Sequence, residues 1–260
     1  MNNDSGTKIQ EKMPLLKISG LTKTFGKVIA LKDVDLDIDY NEVVGLLGDN
    51  GAGKSTLVKI LMGVYASDKG EIHFMGRKAR FRSPDEARAA GIEVVYQGSN
   101  LIETMNIWRN FFVAKEQTKR YGFLKLLDVS SMKRKSLANL EKVGIPMRTA
   151  DESVRILSGG QRQSVAISRA LYFEAKLLIL DEPTTALSVR ETTKVLDFVK
   201  AVKKMGISVI FITHNIYHVF DVADRFEILD HGIKICSLAK KDTSPQKIME
   251  IIREGKLIEE

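Results

Sequence analysis

"VVGLLGDNGAGKST", Val43 to Thr56, is the stretch that decides the fold. Its apolar opening, Val43 to Gly48, reads as a buried strand, and "KSTLVKILMGVY" after the glycine-rich turn has the spacing of an amphipathic helix. Strand, loop and helix in that order satisfy G-x-x-x-x-G-K-[ST] at Gly48, Gly53, Lys54 and Ser55. Each part has a physical task. Glycines at Gly48, Gly51 and Gly53 let backbone N–H groups curl around phosphate oxygens, and Asn50, Ala52 and Thr56 complete the run of candidate phosphate-binding positions. The helix start adds partial positive charge, Lys54 reaches the β and γ oxygens, and Ser55 offers a hydroxyl to Mg²⁺. The expected ligands are ATP and Mg²⁺.

A β-rich run at Leu15–Phe25 precedes this stretch, and further apolar runs follow it at Ile92–Tyr96, Lys176–Asp181, Ile207–Thr213 and Arg225–Asp230. Near-continuous apolar strands separated by helical patterns predict a parallel sheet covered on both faces. Between Gly98 and Ile156 the chain turns charged and helix-favouring, as in "SMKRKSLANLEKVG", and no strand is expected there. This segment, 98–157, reads as a helical subdomain inserted into an α/β core made of 14–97 and 158–236. A tail over 237–260 is expected to hold one helix around "SPQKIMEIIREG" and no extra domain.

"LLILDEPTT" sets Asp181 and Glu182 at the end of a buried strand, where charge is costly without a partner such as a metal ion. Asp181 is the expected Mg²⁺ ligand through water, and Glu182 the expected general base toward the attacking water. A second glycine-paired stretch, "LSGGQRQ" from Leu157 to Gln163, lies roughly a hundred residues beyond the first, although the first already looks complete as a nucleotide site.

With these motifs in this order, the chain resembles the ATP-binding cassette family, the ATPase subunits of ABC transporters, from about Leu15 to about Ile235. The resemblance implies a P-loop NTPase core of RecA-like type, with an N-terminal antiparallel β region and the inserted helical subdomain. It also assigns roles. Gln97 in "VVYQGSN" matches the glutamine loop, which contacts Mg²⁺ and the attacking water. His214 in "FITHN" matches the switch histidine at the γ-phosphate, and Phe25 sits where the family stacks an aromatic on adenine. In "LSGGQ", Ser158, Gly159, Gly160 and Gln161 match the signature motif, which binds the γ-phosphate of an ATP held by another subunit. The implied assembly is a head-to-tail dimer that sandwiches two nucleotides.

One departure stands out. Where much of the family reads S-A-L-D after the carboxylates, this chain reads "TALS", so Ser188 replaces an aspartate. The variant "EPTTALSVRE" is similar to ATPases of bacterial monosaccharide importers of the ribose, xylose and galactose type. Those are often double-length chains, whereas each motif occurs once here, so a homodimer or a pairing with another cassette is expected. The implied partners are membrane permease subunits and, through them, a periplasmic or extracellular sugar-binding protein. Trp108, Phe111 and Phe112 read either as subdomain core or as the surface that receives a permease helix. His73, His218 and His231 match no motif and read as structural or surface residues.

Composition narrows the remaining classes. With 260 residues, 44% of them apolar, the chain can bury a full core, and its longest apolar runs, such as "LLIL", are far short of a membrane span. "MNNDSGTKIQEKM" has no apolar region of the secretory kind, and the lone Cys236 permits neither a disulfide framework nor a thiolate metal site. The expected location is the cytoplasmic face of the cell membrane, as a peripheral subunit. A formal charge of +7 suits nucleic acid, an anionic surface or polyphosphate alike. The basic clusters "GRKARFR" and "SSMKRK" lack the aromatic interleaving of a single-strand groove, so no nucleic-acid partner is expected. The alternative classes are a DNA-repair ATPase, which shares the signature, and the ATPase of another ABC transporter type; repair ATPases insert long coiled coils between their halves, whereas only about a hundred residues separate Lys54 from Ser158 here.

Overall fold

The computed structural model describes residues 13–98, 101–142 and 144–256; nearly all of the N-terminal stretch "MNNDSGTKIQEKM" and the last residues of the tail, 257–260, lie outside them. The chain begins with β1 (Leu16–Phe25), β2 (Val28–Ile38), β3 (Val43–Leu47), α1 (Lys54–Leu61), β4 (Lys69–Phe74), β5 (Arg77–Ala79), α2 (Pro84–Ala90) and β6 (Ile92–Val95). The middle holds α3 (Ile107–Phe112), β7 (Thr118–Tyr121), β8 (Leu124–Leu127) and α4 (Val129–Lys142). Then come α5 (Gly159–Tyr172), β9 (Leu177–Asp181), α6 (Val189–Lys204), β10 (Ser208–Ile212), α7 (Ile216–Val222), β11 (Arg225–Asp230), β12 (Ile233–Ala239) and α8 (Pro245–Glu254). Every strand expected from an apolar run forms, and the tail helix is α8.

The central sheet has the order β12-β11-β3-β10-β9-β6, parallel throughout except for β12. Its side chains alternate between two cores, as the period of a strand requires. Val44, Leu46, Ile179 and Ile210 point into one core, shared with α1 and the antiparallel sheet β2-β1-β4-β5. Val43, Leu47, Leu178, Leu180 and Phe211 point into the other, against α5, α6, α7 and α8. Burial on both faces is why these strands read as unbroken apolar runs and not as alternation. Each fully buried leucine or isoleucine stabilises the fold by about 1.5–3 kcal/mol relative to exposure.

A third core lies in the middle segment, built from Ile107, Phe111, Phe112, Met132, Leu140 and Val165. Phe111 and Phe112 are fully buried and pack edge-on against Tyr172, at 6.2 and 5.2 Å between ring centroids. Trp108 is 5% exposed and donates from Nε1 to Asp151 Oδ1 at 3.2 Å. Of the two readings of this aromatic trio, core packing is the one the structure shows. The expectation of no strand in this segment is corrected: β7 and β8 form a separate antiparallel hairpin. All its strand residues are exposed, so it has no buried face, and without one there is no apolar alternation to read.

Candidate functional site

Sheet order gathers the motifs. β10 lies between β3 and β9, and Ile212 is in register with both Leu46 and Asp181. The residues that follow these strand ends therefore share one edge: the glycine loop after β3, Glu182 after β9, and Thr213 and His214 after β10. On the far side of β9, Val95 of β6 pairs with Leu180, which sets the exposed Gln97 at the same edge. Ligand sites of open parallel sheets form at this carboxyl edge, where side chains from separate strands converge.

The loop needs glycine at two points for different reasons. Gly48 has φ 144°, and a Cβ there would lie 2.1 Å from the Leu229 carbonyl oxygen. Gly53, with φ 101°, caps the start of α1, where a Cβ would meet the Ala30 carbonyl oxygen at 2.7 Å. The left-handed backbone at both is glycine territory. Lys54 folds back over the loop and donates from Nζ to the Gly48 and Asp49 carbonyl oxygens at 2.6 and 2.9 Å. Burial lowers its pKa, opposed by the negative charges of Glu182, Asp49 and Asp181. The same surroundings raise Asp181: burial first, then the neighbouring Glu182 charge, with Lys54 and Lys59 acting the other way.

Glu182 is held more tightly than any other group of the site. Its backbone is left-handed at φ 50°, a conformation that costs a non-glycine residue about 1–3 kcal/mol and persists only where the surroundings impose it. Here they do. Its N–H donates to the Ile212 carbonyl at 2.9 Å, and its carboxylate faces four partners. Oε2 accepts from Thr185 Oγ1 at 2.9 Å and Thr213 Oγ1 at 3.2 Å. Oε1 accepts from the His214 backbone N–H at 3.1 Å and lies 2.9 Å from His214 Nδ1. An ionised Glu182 requires the proton on Nδ1, which leaves Nε2 of a neutral ring as the acceptor. The Glu182 side chain is 17% exposed and that of His214 71%, so a sheltered carboxylate is tied to a ring that reaches outward. The two threonines were not singled out from sequence; Thr213 ends a predicted strand, whereas Thr185 lies four residues past one and reaches Glu182 only through the turn between them.

His218 supports the same edge as a structural residue. Its Nδ1 lies 3.1 Å from Thr184 Oγ1, and burial, with the nearby His214, lowers its pKa. Phe25 ends β1 and is 42% exposed, with its ring edge-on to Tyr65 at 5.1 Å. The Lys59 ammonium of α1 lies 5.4 Å from the Tyr65 ring, so an aromatic pair borders the helix that starts at Lys54.

The second glycine motif stands apart. Ser158 caps α5 in a reciprocal box: its Oγ accepts from Gln161 N–H at 3.3 Å, and Gln161 Oε1 accepts from Ser158 N–H at 2.9 Å. Gly160 N–H donates to Glu191 Oε1 at 3.2 Å, and a Cβ on Gly160 would lie 2.9 Å from Glu191 Cγ. Glu191 Oε2 accepts from the Ser188 amide and hydroxyl at 3.1 and 2.9 Å. Hydrogen bonding from the Ser158 hydroxyl, then from the Gly160 and Ser188 amides, lowers the Glu191 carboxyl to about 2. A cavity of about 440 Å³ lies beside Ser158, Gly160, Gln161 and Glu191, and no residue of the glycine loop lines it. The structure thus brings together Gly48–Thr56, Asp181, Glu182 and His214, and leaves Ser158–Gln161 in a separate place.

Residues 31–185 match the family described as ABC transporter. The chain belongs to the ABC transporter ATPase family. Over 238 residues the cassette is 44% identical to the xylose/arabinose import ATP-binding protein XylG of Sulfolobus acidocaldarius, covering 92% of this chain and 93% of that one. It is 41% identical to the fructose import ATP-binding protein FrcA of Rhizobium meliloti, over 88% and 90% of the two chains. Against the ribose import ATP-binding protein RbsA of Chromobacterium violaceum, identity is 37% over 90% of this chain and 45% of that longer one. Among solved structures, the cassette MJ0796, determined as a dimer bound to ADP and Pi, superposes with a TM-score of 0.72 at 28% identity, over 86% of this chain and 98% of that one. The ADP-bound cassette MJ1267 shares the fold, with a TM-score of 0.79 over 93% of this chain and 96% of that one, at 23% identity. This cassette is an ATP-binding ATPase of the α/β class that its glycine loop announces, and no helix among its described residues is long and apolar enough to cross a membrane.

Proposed function

We propose that this cassette powers a monosaccharide importer, hydrolysing ATP at sites completed across a head-to-tail dimer and working at the cytoplasmic face of the membrane beneath permease subunits. The observation that carries this reading is the match to two sugar-import ATP-binding proteins along about nine-tenths of each chain, cassette for cassette. A periplasmic or extracellular sugar-binding protein would deliver the solute to the permease. Segment 98–157 would move as the helical subdomain against the α/β core.

At the catalytic edge, the glycine-loop amides and Lys54 bind the phosphates, and Lys54 must exchange its two carbonyl acceptors for phosphate oxygens. Phe25 offers its exposed ring face to the base. Glu182 orients the attacking water and takes its proton at a carboxylate oxygen, while Thr185 and Thr213 fix that carboxylate in place. The water oxygen bonds to the γ-phosphorus as the bond to the β-bridging oxygen breaks, and ADP and phosphate leave. His214 and Gln97 border the same space, and Ser158–Gln161 of a second copy supply donors to the γ-phosphate. Mg²⁺ fits this edge. The Ser55 hydroxyl and the Gln97 amide oxygen are hard donors, and Asp181 is a carboxylate whose burial leaves its charge short of compensation. Bound there, the ion would neutralise charge developing on the phosphate oxygens.

Import is tested in the host cell. Loss of the gene is expected to abolish uptake of one radiolabelled pentose or hexose, with recovery on expressing the intact chain and none on expressing the Glu182→Gln variant. Undiminished uptake of every pentose and hexose tried would overturn the sugar-import reading.

A further inference from the structure

The hairpin β7–β8 takes no part in the nucleotide site, and its surface is unusual. Its register opposes Thr118 to Leu127, Lys119 to Leu126, Arg120 to Lys125 and Tyr121 to Leu124. Opposed residues share a face and successive pairs alternate, so one face carries Thr118, Arg120, Lys125 and Leu127, and the other Lys119, Tyr121, Leu124 and Leu126. Two cations directly across a ladder repel each other, and among the described residues neither has an acidic partner. The flanking acids are engaged elsewhere: Glu116 Oε1 accepts from the Ala114 N–H at 3.2 Å, and Asp128 Oδ1 from the Ser131 N–H at 3.1 Å. On the other face Tyr121 is 63% exposed, with the Lys119 ammonium 5.7 Å from its ring. At the tip, Gly122 supplies the positive φ that a two-residue turn needs, 58°, and Phe123 stands 96% exposed.

An isolated two-stranded hairpin is marginal in water, and this one has no core of its own. Its base holds it. Gln117 Nε2 donates to Tyr172 Oη at 2.8 Å, Gln117 Oε1 accepts from Lys135 Nζ at 2.9 Å, and the Gln117 carbonyl accepts from the Asp128 N–H at 2.8 Å. A firmly rooted hairpin therefore projects an apolar, aromatic tip with three cations close behind it. Unpaired cations call for an anionic partner, and a bare phenylalanine for an apolar phase. The surface of an anionic bilayer offers both within the depth of one hairpin, with phosphates outside and acyl chains about 5–10 Å further in. Tyrosine and phenylalanine are suited to that boundary, and basic side chains to the anionic leaflet above it.

We infer that the β7–β8 hairpin is a membrane-surface contact, seating Phe123 and Tyr121 in the interface of an anionic bilayer while Lys119, Arg120 and Lys125 bind lipid phosphates. The inference does not rest on a permease or on sugar import, since vesicles free of protein suffice to test it. One hairpin gives weak contact that falls with salt.

The test is flotation of the purified full chain, at low and high salt, with vesicles of phosphatidylcholine alone and of a phosphatidylcholine–phosphatidylglycerol mixture. The intact chain is expected to float with the anionic vesicles at low salt and not with the neutral ones. Reversing two charges in Arg120→Glu/Lys125→Glu should cut partitioning at least ~25-fold, since each surface cation is worth roughly a fivefold change. Phe123→Ser should weaken binding at both salt concentrations. Unchanged melting and ATPase activity in the variants would show that the fold is intact; should the double reversal melt early, Phe123→Ser alone decides, because its side chain touches almost nothing in the folded chain. Absence of anionic-vesicle binding by the intact chain would overturn the inference. So would hairpin variants that bind like the intact chain, which would place the charge-driven contact elsewhere on this basic protein. Variants that keep vesicle binding but lose stimulation by a reconstituted permease would also overturn it and make the hairpin a protein contact.

Discussion

Glu182 concentrates more constraint than any other residue of the site: a strained backbone angle, two threonine hydroxyls, a backbone amide and an imidazole all fix one carboxylate. Glu182→Gln keeps the shape and removes the proposed base, so ATP binding should persist while turnover falls by roughly 10²-fold or more. Near-normal turnover in a steady-state assay would take Glu182 out of that role. Glu191 carries a different prediction. Its carboxyl is held at about 2 in the folded chain, below the ordinary 4.5, so ionised Glu191 favours the fold. For a depressed carboxylate that contribution is complete above the unfolded value and lost as pH falls through the folded one. Between about pH 4.5 and 2, Glu191→Gln should lose less melting temperature than the intact chain, and parallel acid melting curves would refute the assignment. Glu182 was legible in the sequence because two adjacent acids at a buried strand end need a reason to be there. The contact from Glu191 to Gly160 was not, because it joins positions far apart in the chain through side-chain geometry alone.

At the scale of elements, the serine that replaces an aspartate after the carboxylates has a local explanation. Ser188 caps α6 in a reciprocal box with Glu191. Aspartate and serine are comparable N-caps, so the substitution leaves helix initiation intact. The difference lies in charge. Glu191 Oε2 already accepts from the Ser188 hydroxyl, and an aspartate there would set a second carboxylate against it. Ser188→Ala should cost about 1 kcal/mol in chemical denaturation, the usual loss on removing a cap. Ser188→Asp should also destabilise, and adding Glu191→Gln should recover part of that loss; strictly additive effects would show that the two residues do not interact. The buried strands of the central sheet were readable because burial on both faces leaves a continuous apolar signature. β7 and β8 were missed because every side chain is exposed, so neither periodicity nor composition marks the strand. The aromatic trio of α3 could be identified as apolar, but only packing against Tyr172 decided between core and contact surface.

For the molecule as a whole, the distance between the two glycine motifs becomes a statement about assembly. Lys54→Ala disables one motif, and Ser158→Arg blocks the other with bulk, so each variant should be nearly inactive alone. If the motifs meet across subunits, mixing the two restores one intact site per mixed dimer and some activity returns. In a Glu182→Gln background, ATP should hold a dimer visible by size-exclusion chromatography, and adding Ser158→Arg should abolish it while leaving nucleotide binding to the single chain. A dimer that survives would place the second motif outside the interface. The formal charge of +7 invites one further check. At moderate salt, DNA or RNA should leave the ATPase rate unchanged, because non-specific phosphate contacts weaken steeply as counterions are added.

One helix belongs to two cores at once. Val165 of α5 lies in the cluster of the middle segment, whereas Ala166, Ile167 and Ala170 of the same helix pack on the sheet side with α6 and α7. In mechanical terms α5 is a shaft held in two bearings, with its Ser158 end braced through Gly160 against Glu191 of α6. Close packing on both sides resists turning and tilting alike, since either would draw side chains out of both clusters. A shift of α3 and α4 would therefore reach Ser158–Gln161 and the sheet-side cluster, β9 included, through the same helix, so the two parts of the chain are coupled along α5.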